Sequence, residues 1–102
     1  MPAVARGLAA DTVTTECGTT GTDKHSDDVY VEGVPVHRQG DANESHTYNY
    51  PDCDAFHTTT ILVGSTTVFA NTFGVARLGD YYNDDDDYVS IVNQSSVFAD
   101  GE

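Results

Sequence analysis

The chain has 102 residues, 38% of them hydrophobic, which is enough for one domain with a small core and too little for two. Seventeen acidic residues face four basic ones, and the net charge of -13 excludes nucleic acid and anionic membranes as partners held by charge. No apolar run has the length to cross a bilayer, and the start, MPAVARGLAAD, lacks the apolar stretch of a secretory signal, so neither a membrane span nor export by that route is expected.

Helical periodicity is nearly absent. Short stretches rich in Thr, Val, Tyr and Phe are punctuated by Gly, Asn, Asp and Ser, the signature of short strands joined by tight turns. In chain order the predicted strands are residues 29–31, 34–37, 58–63, 67–70, 73–77, 88–92 and 96–99. Glu32-Gly33 and Asn71-Thr72 sit where hairpin turns belong, and Pro35 places its strand at an edge or a strand start. The fold class is therefore all-β, one domain over residues 1–102.

An internal repeat organises these strands. Residues 28–41 (DVYVEGVPVHRQGD) align without a gap on residues 67–80 (TVFANTFGVARLGD). Each unit reads strand, turn, strand, Arg-x-Gly-Asp. The start of the chain, Ala3-Val4-Ala5-Arg6, matches Gly74-Val75-Ala76-Arg77, with a degraded Gly-Asp in residues 7–11. The end, residues 96–101, matches residues 67–72. Two whole units and two complementary halves make three, so the termini are expected to meet and three hairpin units to surround one axis. Such a chain can cap a homotrimer, because each of the three chains then meets nearly the same surface. In each complete unit Gly40 or Gly79 is expected at positive φ in a tight turn, with Arg38 and Arg77 pairing to acids or carbonyls.

Between the two complete units lie His46, Cys53 and His57, at intervals of seven and four residues; the other cysteine is Cys17. Cys17, His46, Cys53 and His57 make a set of two thiolates and two imidazoles, the ligand types zinc prefers, presented from long turns. A chain with so little core has use for a structural metal. Three other readings stand beside this one: a Cys17–Cys53 disulfide, two buried free thiols, and His46 and His57 as ordinary loop histidines. His25 lies in a polar loop. His37 replaces the Ala76 of the other repeat and is expected to be packed or hydrogen-bonded, a substitute ligand should Cys17 prove distant. The acidic run Asp84, Asp85, Asp86, Asp87 lacks the spacing of a calcium loop and reads as solvated, with loose binding of a divalent cation as the alternative. No phosphate loop, nucleophile elbow or other catalytic arrangement stands out, so no enzyme activity is expected.

MPAVAR, GVPVHRQGD and FGVARLGD resemble the repeats of PAAR proteins, and Gly64 to Asn71 resembles the strand preceding the family's tetrad. The resemblance spans nearly the whole chain. It implies a small conical β-protein with pseudo-threefold symmetry, seated on a VgrG-like or phage central spike trimer and sharpening it for membrane puncture. It implies one monomer per trimer, at the tip of a phage tail or secreted injection apparatus. It also implies a zinc (or iron) ion near the vertex, held by the His46, Cys53 and His57 cluster, with Cys17 standing where the family has a histidine. A cell-surface adhesion module and a small metalloenzyme with an open coordination position are the competing functions.

Overall fold

The computed structural model describes residues 1–84, 86–94 and 96–100. Asp85, in the acidic run, and Gly101, at the end of the C-terminal half-unit, lie outside them. No helix is present among the described residues, and none is therefore long and apolar enough to cross a membrane.

The described residues form nine short strands. β1 (Thr12–Thr15) pairs on one side with β2 (Gly18–Gly21) and on the other with β9 (Tyr88–Ile91), all antiparallel. The rest are hairpins: β3 (Tyr30–Val31) with β4 (Val34–Pro35), β5 (His46–Tyr48) with β6 (Ala55–His57), and β7 (Phe69–Ala70) with β8 (Phe73–Gly74). The turns of the two repeat hairpins have the expected handedness: Glu32 and Gly33 lie at φ 52° and 81°, Asn71 and Thr72 at 53° and 70°. Two successive positive φ values match the twist of a two-residue hairpin. Gly40 and Gly79 also take positive φ, 85° and 90°, as their turns require.

The third hairpin is built from the two ends of the chain. Ala3 bridges Phe98, as Pro35 pairs with Tyr30 and Gly74 with Phe69. Val4 N donates to Val97 O at 3.0 Å, Val36 N to Val29 O at 2.9 Å and Val75 N to Val68 O at 3.0 Å. The three units then join head to tail. Ala5 N donates to Ala76 O (2.8 Å), Ala76 N to His37 O (2.8 Å) and His37 N to Ala5 O (3.1 Å), which closes a ring. A second ring runs beside it: Gly7 N to Pro35 O, Gln39 N to Gly74 O and Leu78 N to Ala3 O, each 2.8 Å. Closure pairs the second strand of each unit with its neighbours, so that these strands have no free end in the ring.

Side chains stack in threes along the same order. Val4, Val36 and Val75 pack with Val31, Ala70 and Ala99 as one buried cluster. The second cluster holds Ala5, Ala76, Val13, Ile61, Tyr82 and Val89. Each Arg N–H is accepted by the aspartate of its own unit: Arg6 by Asp11 (2.6 Å), Arg38 by Asp41 (2.8 Å) and Arg77 by Asp80 (2.8 Å). The guanidinium groups of Arg38 and Arg77 also grip their own Asp41 and Asp80. In the first unit the aspartate lies two residues further on, and Arg6 turns instead to the carbonyls of Val31 and Asn93. Gln94 does with its side chain what Ser26 and Ser65 do in the other units: Oε1 accepts from Val97 N at 2.9 Å, where each serine hydroxyl accepts from Val29 or Val68 at 3.0 Å.

The structure departs from the strand assignments in two ways. Residues 58–63 and 96–99 form only isolated bridges, at Thr60, Ile61 and Phe98. β1, β2, β5 and β6 lie in segments whose polar composition gave no strand signal.

Candidate metal centre

Antiparallel register builds the site. β5 and β6 place His46 directly opposite His57. Residues paired across two strands project from the same face, and the two imidazole rings lie edge to face at 4.6 Å. Tyr48, diagonal to His57, stacks flat on its ring at 3.9 Å and limits its movement.

Asp87 supplies the third group. Its side chain is 1% exposed, and that of His46 is 4% exposed. His46 Nδ1 is 3.0 Å from the Glu44 carbonyl. A carbonyl can only accept, so Nδ1 carries the proton and Nε2 presents its lone pair. Asp87 Oδ2 accepts from Thr59 Oγ1 at 2.7 Å, and Thr59 Oγ1 accepts from Asn43 Nδ2 at 2.7 Å. Both groups are thus oriented by a partner behind them, as metal ligands usually are.

In front of them the polar atoms lack partners. His46 Nε2, His57 Nε2 and Asp87 Oδ1 are buried and make no hydrogen bond among the described residues. His46 Nε2 lies 3.1 Å from Asp87 Oδ2 without a hydrogen bond between them, so its lone pair faces a carboxylate oxygen. Each buried polar atom left in this state costs about 1–3 kcal/mol. A shared cation removes that cost. Ligands around a tetrahedral zinc lie about 3.3 Å apart, given bonds near 2.0 Å, and the His46–Asp87 separation is close to that. One ligand atom from each of the three residues falls within 4.8 Å of the others. His46, His57 and Asp87 can therefore hold a metal ion.

This differs from the set expected from sequence. Cys17 and Cys53 are bonded to each other as a disulfide with Cα atoms 6.0 Å apart. A sulfur in a disulfide has no thiolate to offer, so neither cysteine is a metal ligand here. His46 and His57 are brought together as expected, from paired strands rather than from turns. His37 is not a substitute ligand: it is fully buried with both ring nitrogens engaged, Nδ1 by the Lys24 carbonyl (2.6 Å) and Nε2 by the Tyr82 hydroxyl (2.8 Å). His25 Nδ1 contacts the Ser26 carbonyl at 2.7 Å.

Asp87 was hidden within an acidic run that reads as solvated. The signal that marks it is alternation: Val89, two residues on, is fully buried, and strand periodicity puts Asp87 on the same inward face. The disulfide joins the turn after β1 to the turn between β5 and β6. The hairpin that carries both histidines is therefore fixed at its turn by sulfur and faces Asp87 at its open end. Compared with known proteins, the chain matches no family model and no curated protein sequence.

Proposed function

We propose that this protein is a spike tip: it caps the blunt end of a trimeric β-helical spike, in the manner of the PAAR-repeat proteins its units resemble, and sharpens that spike for membrane puncture. One observation carries the reading. Two positions of the repeat leave an apolar side chain exposed in all three units, to nearly the same degree. Tyr30, Phe69 and Phe98 are 56%, 55% and 46% exposed, and Val29, Val68 and Val97 are 36%, 40% and 38% exposed. A monomer has no need to repeat an exposed aromatic around a threefold ring, whereas a surface seated on three identical chains does. Such a tip would sit on a phage tail or a secreted injection apparatus.

In this reading the metal is zinc, with iron as the alternative that two imidazoles and a carboxylate also accept. When bound it cross-links the β5–β6 hairpin to Asp87. The chain's own residues do the remaining work: the closed ring bears axial load through main-chain hydrogen bonds, and the disulfide stops the hairpin from peeling away.

The test is the mass of the complex formed with the trimeric spike encoded beside this protein's gene. One chain per trimer is expected. Replacing Tyr30, Phe69 or Phe98 by Asp should weaken binding by roughly 30-fold each, the effect of losing about 2 kcal/mol from an aromatic anchor. Absence of binding at every salt concentration, or three chains per trimer, would contradict the assignment.

A further inference from the structure

The structure assigns Asp84 as the fourth ligand of the metal group, an inference that rests on His46, His57 and Asp87 holding an ion. Three protein ligands leave a tetrahedral ion one short, and the two sulfurs are bonded to each other at the turn end of the hairpin, away from the histidines. Asp84 is the group placed to complete it. Its Oδ2 lies 3.9 Å from His57 Nε2, the same nitrogen that is buried without a hydrogen bond. The backbone brings it there: Asp87 N donates to the Asp84 carbonyl at 2.9 Å, and this turn returns both acids to one site. Asp84 Oδ1 accepts from Asp86 N at 3.1 Å, which orients the carboxylate and leaves Oδ2 toward the histidine. The Asp84 side chain is 26% exposed and that of His57 is 25% exposed, so the pair forms the outer wall of the site, with His46 and Asp87 behind it.

The chemistry is self-consistent. Two carboxylates and two neutral imidazoles exactly balance a divalent cation in charge, so the buried site becomes neutral when filled. Nitrogen and oxygen donors without thiolate favour zinc, iron(II) and manganese over soft ions such as copper(I). A site closed by four side chains has no position for water or substrate, which makes its role structural.

The experiment uses the full oxidised chain, stripped of metal and loaded with cobalt(II) or zinc. Wild type is compared with Asp84→Asn, Asp87→Asn and, as a control on the same turn, Asp86→Asn. Asp84→Asn should weaken zinc binding by at least the about 10-fold to 100-fold typical of removing a ligand's supporting group. It should also open a position to solvent, so that the cobalt spectrum responds to added azide, while wild type and Asp86→Asn do not respond. An azide-sensitive wild type, or an Asp84→Asn variant with unchanged affinity and spectrum, overturns the assignment of Asp84. In the second case, loss of cobalt in Asp87→Asn shows that the three-residue site stands without it. No cobalt or zinc uptake by wild type overturns the three-residue site and the fourth ligand together.

Discussion

Replacing Cys17 and Cys53 by serine lowers the folding free energy by about 4 kcal/mol. The cysteines are separated by 36 residues, and closing a loop of that length removes roughly this much conformational entropy from the unfolded chain. Small domains are stable by about 5–15 kcal/mol in total, so the loss is a large share. It falls on a molecule whose longest strands have four residues and which spreads its apolar contacts over two small clusters. Urea unfolding of the oxidised protein and of Cys17→Ser/Cys53→Ser should show the midpoint fall, with a steeper slope because the unfolded chain without the cross-link exposes more surface. The variant should still take up metal, since neither sulfur is a ligand; an unchanged midpoint, or loss of metal with the sulfurs, would contradict the structure.

Tyr82→Ala should cost about 3–5 kcal/mol, the range for removing a buried aromatic side chain. Tyr82 is the largest fully buried side chain, and it occupies the position held by Val13 and Asn43 in the other units. Its size is matched one layer away. Ala5 and Ala76 face the ring with a methyl group, and the third member of that set is His37, whose imidazole reaches the Tyr82 hydroxyl at 2.8 Å. Tyr82→Phe keeps the packing and strands His37 Nε2, so a smaller loss of about 1–3 kcal/mol is expected. The pair also sets a pH dependence. Burial holds His37 below its ordinary value of 6.5, against the opposing pull of the Lys24 carbonyl and of Asp41, Asp11 and Asp23. The unfolded chain then binds the proton more readily than the folded one. This contribution is complete above about pH 6.5 and is lost as the pH falls from there toward the lowered folded value. Urea midpoints should therefore drop on acidification in that window, and less so in His37→Gln.

What could be read in the sequence was the part that repeats. The strand pairs at residues 30–35 and 69–74, the left-handed turns and the meeting of the termini follow from one alignment, because a duplicated unit must be packed in equivalent ways. The segments that do not repeat were opaque. β1 and β2 are made mostly of Thr and Gly, and β5 and β6 carry His, Thr, Tyr and Phe without clean alternation. The histidine pair was visible as chemistry, but not the partner it would take. Spacing cannot tell two thiols that bind a metal from two that bind each other, since both need the same convergence of loops. Only the structure shows the sulfurs joined and Asp87 turned inward to meet His46.

Amide hydrogen exchange at Ala5, His37 and Ala76 tests the closed ring most directly. These three amides donate to one another's carbonyls in a cycle that includes both ends of the chain. If the ring is one cooperative unit, all three exchange only through global unfolding, at equal free energies, together with Val4 and Ala99 at the seam between the termini. Ala5, Val4 and Ala99 exchanging 100-fold or more faster than His37 and Ala76 would show a frayed seam, and would remove the threefold surface on which the proposed cap depends.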